Sequence, residues 1–178
     1  ENPSKNFLPS PGTVKAWQPS TVAKARFDSG IEAGSIIGTQ FDPMIAKVIV
    51  HAKTRNEAIT RLARVLETTR IQGLTTNRDF LVATLRTDAF ISGDTTTDFI
   101  ERVNPDRSQT PSEDYLRQAA IASAVELRAK RGQAAKVLKG IPRGWRNSHL
   151  PPQRFAVSFG EEVLNLEYRT LRDQTLSF

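Results

Sequence analysis

Residues 104–109, Asn-Pro-Asp-Arg-Ser-Gln, follow one another with no apolar side chain among them. Such a run offers a core nothing to bury, so it divides the 178-residue chain into two folding problems. The stretch before it is long enough for one ordinary domain. The stretch after it is short, and its patterning is of a different kind.

The first stretch opens on residues 1–12, rich in Pro, Ser and Asn, with Pro9-Ser10-Pro11-Gly12 as a turn signal. Strands are predicted over 13–17 and 21–28, either side of Gln18-Pro19-Ser20. In the second of these, Ala23, Ala25 and Phe27 fall on one face and Lys24, Arg26 and Asp28 on the other. Gly30 interrupts, and strand signals return over 31–38 and 46–51, the latter carried by Val48-Ile49-Val50. A helix then starts at Thr54, which stands in capping-box spacing with Glu57; each side chain of such a box satisfies a free N–H of the first turn. Ile59, Leu62, Ala63 and Leu66 make its apolar stripe, and Gly73 ends the segment. A shorter helix is predicted from about Asn77, with Phe80, Leu81, Thr84 and Leu85, and another short one around Phe99 and Ile100.

Beyond the linker, Thr110-Pro111-Ser112-Glu113 supplies a cap, a proline at the first helical position and a glutamate at the third. The helix is predicted to run to about Arg131, with Leu116, Ala120, Ala124 and Leu127 on its apolar side. Residues 140–152 read as loop. Phe155, Val157 and Phe159 alternate, as Val163, Leu164 and Leu166 do less regularly, around a Gly160-Glu161 turn: a hairpin. A third strand is predicted from Gln174, after Arg172-Asp173, and the chain reaches Phe178 in mid-strand. Three strands without closure make a poor domain, so more chain is expected to follow. The fold class is α+β: an antiparallel sheet flanked by helices over 1–103, the linker 104–109, then a helix and an incomplete antiparallel β-domain over 110–178.

The chain has no cysteine, which removes disulfides, thiolate metal sites and cysteine nucleophiles together and leads us to expect an intracellular, cytoplasmic setting. Two histidines, His51 and His149, argue against a histidine metal cluster. Glu1-Asn2-Pro3-Ser4 has neither a basic nor an apolar leader region, so no signal peptide is expected, and no apolar run has membrane-spanning length. The net charge is +6, densest at Arg128-Ala129-Lys130-Arg131 with Lys136, Lys139, Arg143 and Arg146 beyond it. Few aromatics interleave with these cations, so they read as a solvated helix end rather than a nucleic-acid surface.

No Gly-rich phosphate loop, HExxH, GxSxG or DxDxDG pattern is present. Asp28 and Asp42 sit at strand ends, where they serve either as turn formers bonding their own backbone or as catalytic carboxylates. Arg26 stands out among the cations. A guanidinium fixed on a strand suits a planar oxyanion such as bicarbonate or an enolate, although a lone strand arginine is more commonly a solvated one.

Several runs together resemble the C-terminal domain of biotin carboxylases: Asn6-Phe7-Leu8-Pro9-Ser10-Pro11-Gly12, Arg26-Phe27-Asp28-Ser29, Ala33-Gly34, and Phe41-Asp42-Pro43-Met44-Ile45-Ala46-Lys47. Thr54-Arg55 with Glu57-Ala58, Gly73-Leu74-Thr75-Thr76-Asn77, and Phe90 to Gly93 extend the likeness over residues 1–103 in family order. The resemblance implies a ligase reaction in which ATP activates bicarbonate as carboxyphosphate and the carbon dioxide released is captured by N1 of biotin. It implies that Arg26 contacts bicarbonate and the biotin ureido group and stabilises the enolate-like oxygen of deprotonated biotin. It also implies that Thr97 and Asp98 lie against the nucleotide, although the sequence lacks the apolar residue expected at Thr97; a helix cap before Phe99 is the competing reading. By the same resemblance, His51 to Arg55 is either a homodimer contact or a solvent-exposed strand end.

The ATP-grasp part, with its Gly-rich loop and magnesium carboxylates, would lie before Glu1. The Met-Lys-Met of a biotin carrier is absent, Met44 being the one methionine. Hence no biotinylated lysine and no activity from this chain alone are expected. Residues 104–178, with Pro142-Arg143-Gly144-Trp145-Arg146-Asn147, resemble the coupling region of bacterial acyl-CoA carboxylase α-subunits. There Trp145 would either anchor a carboxyltransferase or pack under its own loop. The implied partners are the rest of the biotin carboxylase chain, a biotin carrier domain, a carboxyltransferase and a second copy of the chain. Nucleic acid and membrane are not expected. The implied role is in fatty acid metabolism, on acetyl-, propionyl- or a longer acyl-CoA. Two rivals remain: the lobe of another ATP-grasp ligase, and a non-catalytic nucleic-acid module resting on charge alone.

Overall fold

A computed structural model describes residues 1–108, 111–137, 140–141, 144–145, 148, 151–159 and 162–178. The chain divides into two compact units, Glu1–Gln109 and Thr110–Phe178. The mixed helix and antiparallel-strand class read from the sequence is the class observed.

In the first unit six short strands form three separate antiparallel pairs. Strand β1 (Gly12–Thr13) pairs with β4 (Ile36–Ile37), β2 (Ala16–Gln18) with β6 (Arg70–Gln72), and β3 (Arg26–Ser29) with β5 (Ala46–Ile49). The single strand expected over 13–17 is therefore two. Its partner changes at Val14–Lys15: Val14 N donates to Ser35 O at 2.9 Å, whereas Lys15 N donates to Gln72 O at 2.7 Å. The expected strand over 31–38 shrinks to Ile36–Ile37, and that over 21–28 begins only at Arg26. The in–out alternation of burial from Ala23 to Asp28 nevertheless persists.

Helix α1 (Arg55–Thr68) starts as its cap predicts, Thr54 Oγ1 accepting from Glu57 N at 3.3 Å. It packs on α2 (Arg78–Leu85) and the short α3 (Asp88–Ser92). Ile59, Ala63 and Leu66 from α1 and Val82 and Leu85 from α2 form the core, with Leu62, Val48 and Phe90 against it. Burying each of the larger of these side chains contributes about 1.5–3 kcal/mol. Thr69, buried after α1, ties elements together: its hydroxyl donates to Val65 O at 2.7 Å and accepts from Ser20 N, and its carbonyl accepts from Arg78 Nη1 at 2.9 Å. Among the described residues no buried side-chain nitrogen or oxygen lacks a partner.

Helix α4 (Phe99–Val103) closes the unit. The segment after it is anchored, contrary to its reading as a bare linker. Pro105 is buried, and Arg107 lies 5.3 Å from the Phe7 ring centroid while donating to Asn6 Oδ1 at 3.3 Å. Phe7 adopts φ 59°, an uncommon conformation for an aromatic residue, and its ring meets Phe80 edge-on at 5.0 Å.

The second unit holds α5 (Glu113–Ala134) and a meander of β7 (Gln153–Phe159), β8 (Glu162–Thr170) and β9 (Leu176–Ser177). Ser112, not Thr110, is the cap, its hydroxyl accepting from Tyr115 N at 3.2 Å, so the helix starts two residues later than the proline signal suggested. Ala120 and Ala124 are buried as read. Along β8 the inward residues are Leu164, Leu166 and Tyr168, while Val163 faces out. The third strand starts at Leu176, not Gln174, because Gln174 takes φ 68° in the preceding turn. The Gly160-Glu161 turn, His149 and Arg143 lie outside the described residues. No described helix is long and apolar enough to cross a membrane.

Candidate functional site

The β3–β5 hairpin sets the site. Its register places Arg26 opposite Ile49, Phe27 opposite Val48, Asp28 opposite Lys47 and Ser29 opposite Ala46. Side chains alternate along a strand, so Arg26, Asp28 and Lys47 share one face, and Phe27 and Val48 the other. The second face is held: Val48 packs on the helical core and the Phe27 ring meets Trp17 edge-on at 6.2 Å. The first face is thereby turned outward, with two cations and one carboxylate beside the apolar Ile49. Arg26 Nη2 donates to Asp28 Oδ2 at 3.1 Å, with the two side chains 71% and 50% exposed.

Asp28 is thus an ion-pair partner and not the self-bonding turn former that its position suggested. Asp42 is one: its Oδ1 accepts from Met44 N at 2.8 Å. The loop around it leaves Phe41 86% exposed and Met44 63%.

Around Thr97 and Asp98 the polar groups serve one another. The Thr96 hydroxyl donates to Asp98 Oδ1, Arg102 Nε lies 3.6 Å from Asp98 Oδ2, and Arg102 Nη1 donates to Asp94 Oδ2 at 2.9 Å. The Thr96 hydrogen bond first, and the Arg102 charge after it, hold the Asp98 carboxyl below the usual carboxylate value. Asp98 occupies the N-cap position of α4, but its side chain does not bond the helix N–H groups, so the capping role weighed for it is not the one it plays.

In the segment from His51 to Arg55, His51 O accepts from Arg61 Nη1 at 2.7 Å. Arg55 donates to Phe90 O at 2.8 Å and lies 5.1 Å from that ring's centroid. Trp145 is 55% exposed, and most of the loop around it lies outside the described residues. The second unit has a cavity of about 300 Å³ lined in part by Leu127, Arg128, Arg131, Phe155 and Tyr168. Among the described residues no three His, Asp or Glu side chains gather as a metal-holding group.

Alternation put Arg26 on a polar strand face, and the family resemblance singled it out there. Lys47 was not singled out, because its place opposite Asp28 depends on a pairing register that no local pattern encodes.

The family model for the biotin carboxylase C-terminal domain matches residues 1–102. The biotin-dependent acyl-coenzyme A carboxylase alpha3 subunit of Mycobacterium leprae is 47% identical over 91 residues, 51% of this chain and 15% of that protein. The mitochondrial propionyl-CoA carboxylase alpha chain of Sus scrofa is 38% identical over 142 residues, 75% of this chain and 20% of that protein. Among solved structures, the biotin carboxylase domain dimer of Hydrogenobacter thermophilus 2-oxoglutarate carboxylase, in complex with MgADP, ADP and bicarbonate, superposes with a TM-score of 0.59. Its identity is 29%, covering 62% of this chain and 24% of that one. The chain therefore spans about a quarter or less of each of these relatives.

Proposed function

Because the chain belongs, through residues 1–102, to the biotin carboxylase C-terminal domain family, we propose that its parent protein carries out ATP- and bicarbonate-dependent carboxylation of biotin and that this stretch contributes Arg26 to the reaction. The chain is a fragment covering the C-terminal region of such a ligase. The observation that carries the reading is the polar face of the β3–β5 hairpin, where Arg26 projects 71% exposed beside Asp28 and Lys47.

ATP and bicarbonate would supply the activated carboxyl group. Arg26 would hold the planar anion by paired hydrogen bonds and stabilise the charge developing on the ureido oxygen of biotin. Thr97 and Asp98 are the residues we place beside the nucleotide. Asp98 is engaged with Thr96 and Arg102 and so shapes the turn, leaving the Thr97 hydroxyl for contact. Magnesium and the biotin-bearing lysine belong, in this reading, to other parts of the assembly, which would include a carrier, a carboxyltransferase and a second copy docked through the His51 to Arg55 segment. An acyl-CoA as final acceptor, a role in fatty acid metabolism and a cytoplasmic setting complete the proposal.

The test is biotin-dependent ATP cleavage by the full-length parent with bicarbonate present. Arg26→Ala is expected to lower turnover about 100-fold or more while the protein stays folded. Equal turnover would make Arg26 a surface residue. A native parent with no biotin dependence would overturn the activity itself.

A further inference from the structure

We propose that Asp28 is the positioning residue for Arg26: it holds the guanidinium by one nitrogen and, when Arg26 turns to an anion, leaves its own charge to Lys47. The proposal rests on the reading of Arg26 given above. Arg26 and Asp28 stand two residues apart on β3 and so project from the same face, joined by Nη2 and Oδ2 at 3.1 Å. An ion pair this exposed contributes little to stability, so its consequence is geometric: it decides where the guanidinium points. A guanidinium carries five N–H donors, and Nη2 belongs to both of its two-pronged edges, Nε/Nη2 and Nη1/Nη2. Whichever Nη2 hydrogen Asp28 takes, one complete edge remains for a planar oxyanion.

Lys47 is what makes the arrangement usable. A carboxylate next to an anion site repels the anion unless its charge is met, and Asp28 lies directly across the ladder from Lys47. Opposed side chains in an antiparallel pair start about 5 Å apart at Cβ, within the sweep of a flexible four-carbon ammonium. Lys47 therefore neutralises Asp28 as Arg26 is drawn away. Nothing in the local sequence pairs these two residues; the register does.

The experiment is a double-mutant cycle in the full-length parent, read as biotin-dependent ATP cleavage with bicarbonate varied. Asp28→Asn is expected to lower kcat about 10- to 100-fold, the effect of a misaimed group, and to cost nothing further when Arg26 is already Ala. Asp28→Glu, which keeps the charge one methylene away, should recover part of the loss. Lys47→Met should raise the KM for bicarbonate several-fold. A loss from Asp28→Asn that is the same in both backgrounds would mean a structural role and overturn the proposal, as would native turnover in the variant. An unchanged KM in Lys47→Met would remove the hand-over. If Arg26→Ala abolishes turnover while Asp28→Asn does not, the positioning role alone falls; if Arg26→Ala leaves turnover intact, the reading of Arg26 falls with it.

Discussion

The two units solve the problem of burying short strands in opposite ways. In Glu1–Gln109 every strand is two to four residues long and finds its partner at a distance in sequence, β2 reaching across to β6 beyond the first long helix. None of these pairs could stand alone, and β3–β5 packs through Val48 on the α1–α2 core. In Thr110–Phe178 the strands run to nine residues, neighbours pair in chain order, and one helix covers them. A lobe of stitched fragments can aim individual side chains from several short segments, as the β3–β5 face does. A meander mainly offers a continuous surface. The price of the first arrangement is sensitivity at the seams.

The sharpest way to break that contrast is to compare two left-handed glycines. Gly73 has φ 108°, and a methyl group there would run into the Thr13 carbonyl oxygen and stand 2.8 Å from Lys15 N, both backbone atoms at the point where β1 gives way to β2. Gly73→Ala is expected to cost about 3 kcal/mol or more. Gly144, with φ 83°, would meet the Thr170 side chain, its Cβ at 2.8 Å, a less close approach than the one to the Thr13 carbonyl oxygen at Gly73. Gly144→Ala should cost about 1–2 kcal/mol. Trp17 and Trp145, one in each unit, allow urea unfolding to be followed by fluorescence in each region. Equal costs would show that the seams are no stiffer than the meander.

A smaller difference is expected between core leucines of nearly equal burial. Leu66→Ala, at 7% exposure within the α1–α2 cluster, should cost about 3–4 kcal/mol. Leu166→Ala, at 8%, should fall near 2–3 kcal/mol, because a three-stranded sheet can relax around the gap. Thermal melting of both variants checks the order, and a reversed order would place the tighter packing in the second unit.

The smallest effect concerns acid. Hydrogen bonds from Thr175 hold Asp173 below the usual carboxylate value, as the Thr96 hydroxyl does for Asp98. A carboxyl whose folded pKa is depressed stabilises the fold above its unfolded pKa, and that contribution disappears as pH falls through the folded value. Native protein should therefore lose slightly more stability between neutral pH and about pH 3 than Asp98→Asn or Asp173→Asn. Denaturant titrations at the two pH values read the difference, and added salt should weaken only the Arg102 part. An identical acid loss in native and variants would show that neither turn is tied down by its carboxylate.

Elements with their own local logic were legible in the sequence: α1 from Thr54 and its apolar stripe, α2 from Asn77, α5 from its start signal and apolar side, and the β7–β8 hairpin from alternation. Those that depend on a distant partner were not. Residues 13–17 looked like one strand because the change of partner at Val14 is imposed by Ser35 and Gln72. Strand β6 was missed because Arg70–Gln72 carries a single apolar residue, and it exists only because Trp17 lies across from Ile71. Helix α3 escaped notice at five residues, although Thr87 as cap and Gly93 at its left-handed end are the signals that mark it. The site divides in the same way. The face that Arg26 occupies follows from alternation within a strand and its role from the resemblance, whereas the Asp28–Lys47 juxtaposition needs the register between strands.

The anchoring of residues 104–107 turns a boundary into a clasp. Asn2 bridges to Leu8, Ser4 Oγ donates to Arg107 O at 3.4 Å, and Arg107 stacks on Phe7, so two segments about a hundred residues apart are buttoned together. Opening the clasp, as Arg107→Ala would, loosens both segments at once rather than either alone.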